Sequence, residues 1–215
     1  QVDEVATEVD PDDTETLKSV AETSMTGKGA EQHKDVLAQL IVEAAQAVTV
    51  EADDGSIIVD MAYLDIETQT GRSASDSELL NGGVVDKDPA HENMPTDLDD
   101  ANILLIDTPL ELDEAEVDTQ VSVTDPDQLQ NFLDKEEQQL QEMVQQISDA
   151  GVDAVFCQKG IDDMAEHYLA KEGILALSRV KKSQLKFLTE VLEATIVSDV
   201  EEITDAALGR GTIRR

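Results

Sequence analysis

The sequence predicts an α/β fold: a layered domain with one long helix, preceded by a small helix-rich segment. Three observations predict it. Short apolar runs at 152–157, 174–177 and 194–197 alternate with helical patterns at 161–171 and 181–192, and strands alternating with helices imply an α/β layer domain. A helical stripe at 126–148 is longer than the others and is interrupted in its middle. Leu, Ile, Val and Phe make up 57 of the 215 residues, above the ~20% level below which a highly charged chain stays disordered.

In chain order, residues 1–13 are acidic, carry Pro11 and read as a linker. Leu17, Val20 and Ala21 recur at helical spacing, and Thr26-Gly-Lys-Gly interrupts them. A stronger helix follows, with two apolar rows four residues apart: Val36, Leu40, Ala44, Val48 and Leu37, Ile41, Ala45. Asp53-Asp54-Gly55 is a turn signal, and short strands are expected at 56–59 and 64–70. This block at 14–71 has few residues with which to build a core of its own. The polar stretch 71–76 marks a boundary, and the second block spans 72–215. It opens with a strand expected at 79–86, then a loop, then the buried-strand run Asn102-Ile-Leu-Leu-Ile-Asp107 ended by Pro109. Asp125 suits the cap and Pro126 the first turn of the long helix. Its stripe is Leu129, Phe132, Leu133, then Leu140, Met143, Val144, Ile147, with a wholly polar gap at 134–139. Either all seven form one core stripe, or the first three project while the last four pack. The helix at 161–171 is stopped by Gly173, and its Ile161, Met164, Ala165, Tyr168 and Leu169 are expected to face the core. A last short helix is expected at 201–207.

The net charge of −34, from 49 acidic and 15 basic residues, excludes nucleic acid and anionic membranes as partners, because phosphate binding needs clustered Lys and Arg. The charge is spread along the chain, as in proteins of a salt-rich cytoplasm, where screening removes the mutual repulsion of carboxylates. No signal peptide and no apolar run near 18 residues is present, so the expected location is the cytoplasm. The single cysteine, Cys157, lies in the apolar run 154–157 and reads as a buried structural thiol.

Three features invite a chemical reading. Gln158-Lys-Gly-Ile-Asp-Asp-Met-Ala-Glu-His-Tyr-Leu-Ala-Lys171 sets Asp163 and His167 four residues apart on one helical face. A metal-dependent α/β enzyme using both is one alternative. However, two ligands do not make a site, and first-turn acids are already favoured by the helix dipole. Thr26-Gly-Lys28-Gly departs from a Walker phosphate loop, since Glu22 stands where the first glycine belongs and Gly29 where Ser or Thr belongs. Lys159, Lys171, Arg179, Lys181, Lys182 and Lys186 are six of the fifteen basic residues within 28 positions. They are either solvated helix ends or a contact for a neighbouring acidic subunit.

Taken together, several stretches resemble the group II chaperonins, or thermosomes, of archaea, in that family's order. They are Thr23-Ser-Met-Thr-Gly-Lys-Gly, Asn81-Gly-Gly-Val-Val-Asp-Lys, Leu110-Glu-Leu, Asp125-Pro with Phe132-Leu and Glu137, Glu142-Met-Val, Gln158 to Ala165, His167-Tyr-Leu and Arg179-Val-Lys-Lys-Ser. The resemblance covers nearly all of the chain from residue 14, and the acidic composition is similar to that of haloarchaeal members. It implies that 72–215 is the apical domain, 14–71 part of the intermediate domain, and the chain a piece of a longer ATP-driven subunit. No Gly-Asp-Gly-Thr-Thr phosphate loop and no catalytic aspartate of the returning intermediate segment is found, so no catalytic residue and no metal site is assigned to this chain. ATP and Mg would belong to the longer subunit, with Lys28 sensing the nucleotide. By the same resemblance, Glu111, Leu112, Asp113, Glu166, His167, Ala170 and Lys171 line a groove for unfolded polypeptide. The segment around 125–143 is similar to the long helical protrusion that forms a built-in lid, with Leu129, Phe132 and Leu133 making its contacts, and neighbouring subunits of a double ring are the other partners. A structural fragment without client affinity is the remaining alternative.

Overall fold

The computed structural model describes residues 6, 9–52, 56–112 and 126–215, with the side chains of 51 and 126–133 outside the description. It divides into two compact units, Gln1–Gly83 and Val84–Arg215.

The first unit holds α1 (Thr14–Met25), α2 (Lys34–Ala47) and a hairpin of β1 (Thr49–Glu51) and β2 (Ile57–Val59). Asp13 caps α1: its carboxylate accepts from the Thr16 N–H at 3.1 Å and from the Thr16 hydroxyl at 2.6 Å. These bonds to Thr16 hold its carboxyl below the usual carboxylate range. The buried residues of α2 are Ala38, Val42 and Ala44, whereas Val36 and Ile41 of the expected rows are exposed. The small side chain of Ala38 lies in the buried stripe, and a pair of helices alone covers only one such stripe of each. In the hairpin, Val50 pairs with Ile58, and all three β2 residues are exposed. The strand expected at 64–70 does not form, and the segment carries no regular secondary structure. Among the described residues, thirteen of the fifteen exposed large hydrophobic side chains lie in this unit, from Val9 to Leu80. A unit with so much uncovered apolar surface is not stable on its own burial.

The second unit is built on β3 (Leu98–Ile106), β4 (Ala154–Cys157), β5 (Leu175–Leu177), β6 (Ile196–Val197) and β7 (Gly209–Ile213), with α3 (Pro126–Asp149), α4 (Asp163–Lys171) and α5 (Lys182–Leu192). The order is β5-β4-β3-β6, all parallel, with β7 antiparallel to β3. The runs Ile103–Ile106 and 154–157 are buried throughout, as strands covered on both faces must be. Leu105 pairs with Phe156 on one side and Ile196 on the other. From β3 the chain moves outward through α3, β4, α4 and β5, then reverses through α5 to β6. Right-handed crossovers therefore place α3 and α4 on one face and α5 on the opposite face.

Several expectations are corrected. Residues 79–86 are not a strand, because the free edge of β5 is already covered: Ala90 N–H donates to the Ala176 carbonyl at 2.8 Å, and Ala176 N–H to the Met94 sulfur at 3.2 Å. Residues 201–207 do not form a helix; a single 3-10 turn, Val200–Glu202, capped by Asp199, stands there. Strand β3 starts four residues before the expected run and pairs with β7, which the sequence did not suggest. A bulge between Leu98 and Ala101, with Asp100 at φ 49, breaks the alternation.

Cys157 is buried at the end of β4, and its thiol donates to the Thr108 carbonyl at 3.3 Å. Burial raises its pKa from 9.0 to about 11. Between these values the unfolded chain ionises while the folded chain keeps its proton. Its contribution is therefore intact below about pH 9 and lost as pH rises to about 11. Urea melts of the wild type between these limits should lose about 2–3 kcal/mol more than melts of Cys157→Ala. Parallel losses would show that the thiol ionises equally in both states.

Candidate functional site

The site is assembled where the loops after β3 and β4 meet. Leu110 N–H donates to the Gly160 carbonyl at 3.0 Å, and Asp162 N–H to the Leu110 carbonyl at 3.0 Å, so Leu110 and Ile161 form a one-residue parallel bridge. The Glu111 carboxylate lies over Gly160: a Cβ built there would meet Glu111 Oε1 at 1.8 Å. Leu112 is half-buried against the core, and Asp113 lies outside the described residues.

Asp162 caps α4, its carboxylate accepting from Met164 N–H at 2.8 Å, and Gly173 at φ 75 ends the helix. The helix rests on the sheet through Ile161, Ala165 and Leu169, all buried. Met164, expected in the core, is 42% exposed. The row 161, 165, 169, spaced four residues apart, is fully covered by the sheet. Met164 alone of the expected stripe is turned outward, whereas Tyr168 is half-buried against the core, with its hydroxyl donating to Glu137 Oε1 of α3 at 2.7 Å. This bond to a carboxylate favours the neutral phenol and raises the Tyr168 pKa. Loss of Met164 therefore has little packing to remove, while Leu169→Ala removes a fully buried side chain at about 2–5 kcal/mol.

The outward face of α4 presents Asp163, Met164, His167 and Lys171 exposed, with Glu166 and Ala170 half-buried. Burial, then the Asp163 charge, pushes the Glu166 carboxyl above its ordinary range. The His167 ring stands edge-on to His91 at 5.8 Å and to Tyr168 at 5.9 Å. The face is thus a mixed strip: one thioether, a row of rings, and carboxylates at the rim. Glu111, Glu166, His167, Ala170 and Lys171 all belong to this loop-and-helix assembly. Met164, His91 and Tyr168 are the additions that sequence reasoning missed. The signal for Met164 was the cap: with Asp162 as cap, the helix starts at 163. Nothing in the sequence brings His91 to His167.

Asp163 and His167 gain no third ligand: among the described residues, no group of three or more His, Cys, Asp or Glu side chains could hold a metal. Leu129, Phe132 and Leu133 lie on α3, but their side chains are outside the description. The polar gap after them is exposed except for half-buried Glu136, and burial on α3 resumes with Leu140, Val144 and Ile147. Lys28, in the first unit, follows Gly27 at φ 75, and the Gly27 N–H donates to the Glu31 carboxylate at 3.0 Å.

A layered α/β unit offering a mixed apolar and charged helix face is a binding module in form. Residues 1–214 match the TCP-1/cpn60 chaperonin family, and the chain belongs to that family. It is 58% identical over 215 residues to thermosome subunit 2 of Haloferax volcanii and 54% identical over the same length to thermosome subunit beta of Halobacterium salinarum. In both cases all of this chain is covered and 39% of the relative, so the chain spans about two-fifths of their length. A solved structure described as the open state monomer of a group II chaperonin from Methanococcoides burtonii superposes with a TM-score of 0.77 at 37% identity. The match covers 98% of this chain and 46% of that one.

Proposed function

We propose that this chain is the client-binding part of a protein-folding group II chaperonin from a halophilic archaeon. Residues 72–215 act as the apical domain and 14–71 as part of the intermediate domain. The open face takes up unfolded polypeptide, and ATP with Mg is used elsewhere in the longer subunit. The observation that carries this reading is the α4 face, with Met164 uncovered between carboxylates and histidine rings beside the Glu111 loop. Such a strip suits extended segments that present both apolar and basic side chains, because burial holds the one and the carboxylates hold the other.

Leu129, Phe132 and Leu133 are the proposed lid contacts, separated from the buried Leu140, Val144 and Ile147 by the polar stretch 134–139. Lys28 is the proposed nucleotide-sensing residue of the longer subunit. Neighbouring subunits of a double ring are the other partners, and the cytoplasm is the proposed location. No helix among the described residues is long and apolar enough to cross a membrane.

A labelled, reduced and unfolded polypeptide titrated with the chain in molar KCl tests the reading by fluorescence anisotropy. Binding is expected for the unfolded form and not for its native form. Met164→Glu should weaken it about tenfold, the loss of one buried apolar contact of about 1.4 kcal/mol. Equal binding of native and unfolded forms, or none of either, contradicts the proposal.

A further inference from the structure

Charge is distributed unevenly around the sheet. All four parallel strands end on the same side, and their C-terminal loops share one rim. After β4 and β5 stand Lys159, Arg179, Lys181 and Lys182, all exposed. None of the four forms an ion pair among the described residues, in a chain with 49 acidic residues against 15 basic ones. The corner is rigid: Arg179 N–H donates to the Lys159 carbonyl at 2.8 Å and Val180 N–H to the Cys157 carbonyl at 2.9 Å. Arg179 itself is held in the left-handed region at φ 55, a conformation that a side chain with a Cβ adopts only where its surroundings hold it.

Local helix stability does not account for these cations. Lys181 is the N-cap residue of α5 and makes no capping bond, Lys182 opens the helix, and no acid lies in its first turn. The helix dipole favours the opposite sign there. At the other edge of the sheet the rim is purely acidic. Asp199, Glu201, Glu202 and Asp205 follow β6, all exposed, with no basic residue between 198 and 209. Three strand spacings, about 14 Å, separate β5 from β6.

We propose that the two rims dock on each other between copies of this chain, the Lys159–Arg179–Lys181–Lys182 corner of one against the Asp199–Glu201–Glu202 corner of the next. Opposite charges at opposite edges of one sheet make a head-to-tail interface rather than a two-fold pair. Its charge complementarity fixes register among surfaces that otherwise repel. The contact rests on the side-by-side subunits of the function proposed above, and it identifies which surfaces meet.

A mixture of isotopically heavy and light chains, treated at about 0.1 M KCl, where the Debye length is about 10 Å, with a carbodiimide that condenses lysine amines with carboxylates, reads the contact directly. Heavy-to-light links should concentrate between Lys159, Lys181 or Lys182 and Asp199, Glu201 or Glu202. They should fall about tenfold in Lys181→Glu/Lys182→Glu and likewise in Glu201→Lys/Glu202→Lys, and return when the two variants are mixed. Links absent, or scattered over exposed carboxylates, overturn the proposal. Anisotropy titration of the Lys181→Glu/Lys182→Glu chain with unfolded polypeptide separates the two readings. Client binding retained while the links are lost places the failure or success on this surface alone.

Discussion

Gly209→Val should abolish cooperative folding of the second unit or cost it about 3 kcal/mol or more, in denaturant melts in molar KCl. Gly209 is buried in β7, where the strand passes beneath the corner that links α5 to β6. A Cβ there would meet Leu192 Cβ at 2.6 Å, Ala194 Cβ at 3.0 Å and the Leu192 carbonyl oxygen at 3.1 Å. These atoms belong to or sit directly on the backbone, and Glu193 between them is already held left-handed at φ 52. The corner cannot retreat without pulling β6 from β3. Gly160→Ala is the control. Its Cβ would meet only the end of the exposed Glu111 side chain, which swings into solvent at a cost below about 1 kcal/mol. Equal costs for the two substitutions would mean that the α5–β6 corner moves freely.

The melting temperature should rise by about 10 °C or more between dilute buffer and molar KCl, at about 2–4 °C per kcal/mol for a chain of this size. With a net charge of −34 the folded chain repels itself. The Debye length falls from ~30 Å at 0.01 M to ~3 Å at 1 M salt, so the repulsion is removed over that interval. The ion pairs seen among the described residues, Arg210 with Asp100 at 3.8 Å, Arg215 with Asp88 at 2.8 Å, and Arg214 with Asp99, are all exposed. Such pairs are worth little, so screening of repulsion dominates. A flat response in circular dichroism would contradict a fold adapted to concentrated salt.

The parallel strands were legible because burial on both faces forces continuous apolar runs, as at Ile103–Ile106 and 154–157. The helix stop at Gly173 and start at Pro126 were legible from local backbone chemistry alone. What failed depended on partners distant in the chain. Strand β7 contains Gly209 and Gly211, both held close to Leu192, and Arg210, which reaches Asp100; Arg214, just beyond the strand, reaches Asp99 across the bulge of β3. Those residues carry no strand signal. Residues 79–86 have strand-like composition but no free edge to join. On α4 the apolar positions 164, 165, 168 and 169 form a stripe wider than the sheet can cover. Tyr168 stays half-buried and reaches Glu137, and Met164 alone is left outside. The same failure exposed the site, since the residue misplaced into the core, Met164, is the one that gives the outer face its apolar contact.

The most direct test places a photo-crosslinking amino acid singly at 164, 167 and 171 on α4, and at 190 on the exposed side of α5 as a control. Each chain is irradiated in molar KCl with an unfolded polypeptide. Capture at the three α4 positions, and not at 190, is the predicted result. Capture that is equal at 190, or absent from all three α4 positions, would contradict a client-binding role for the α4 face.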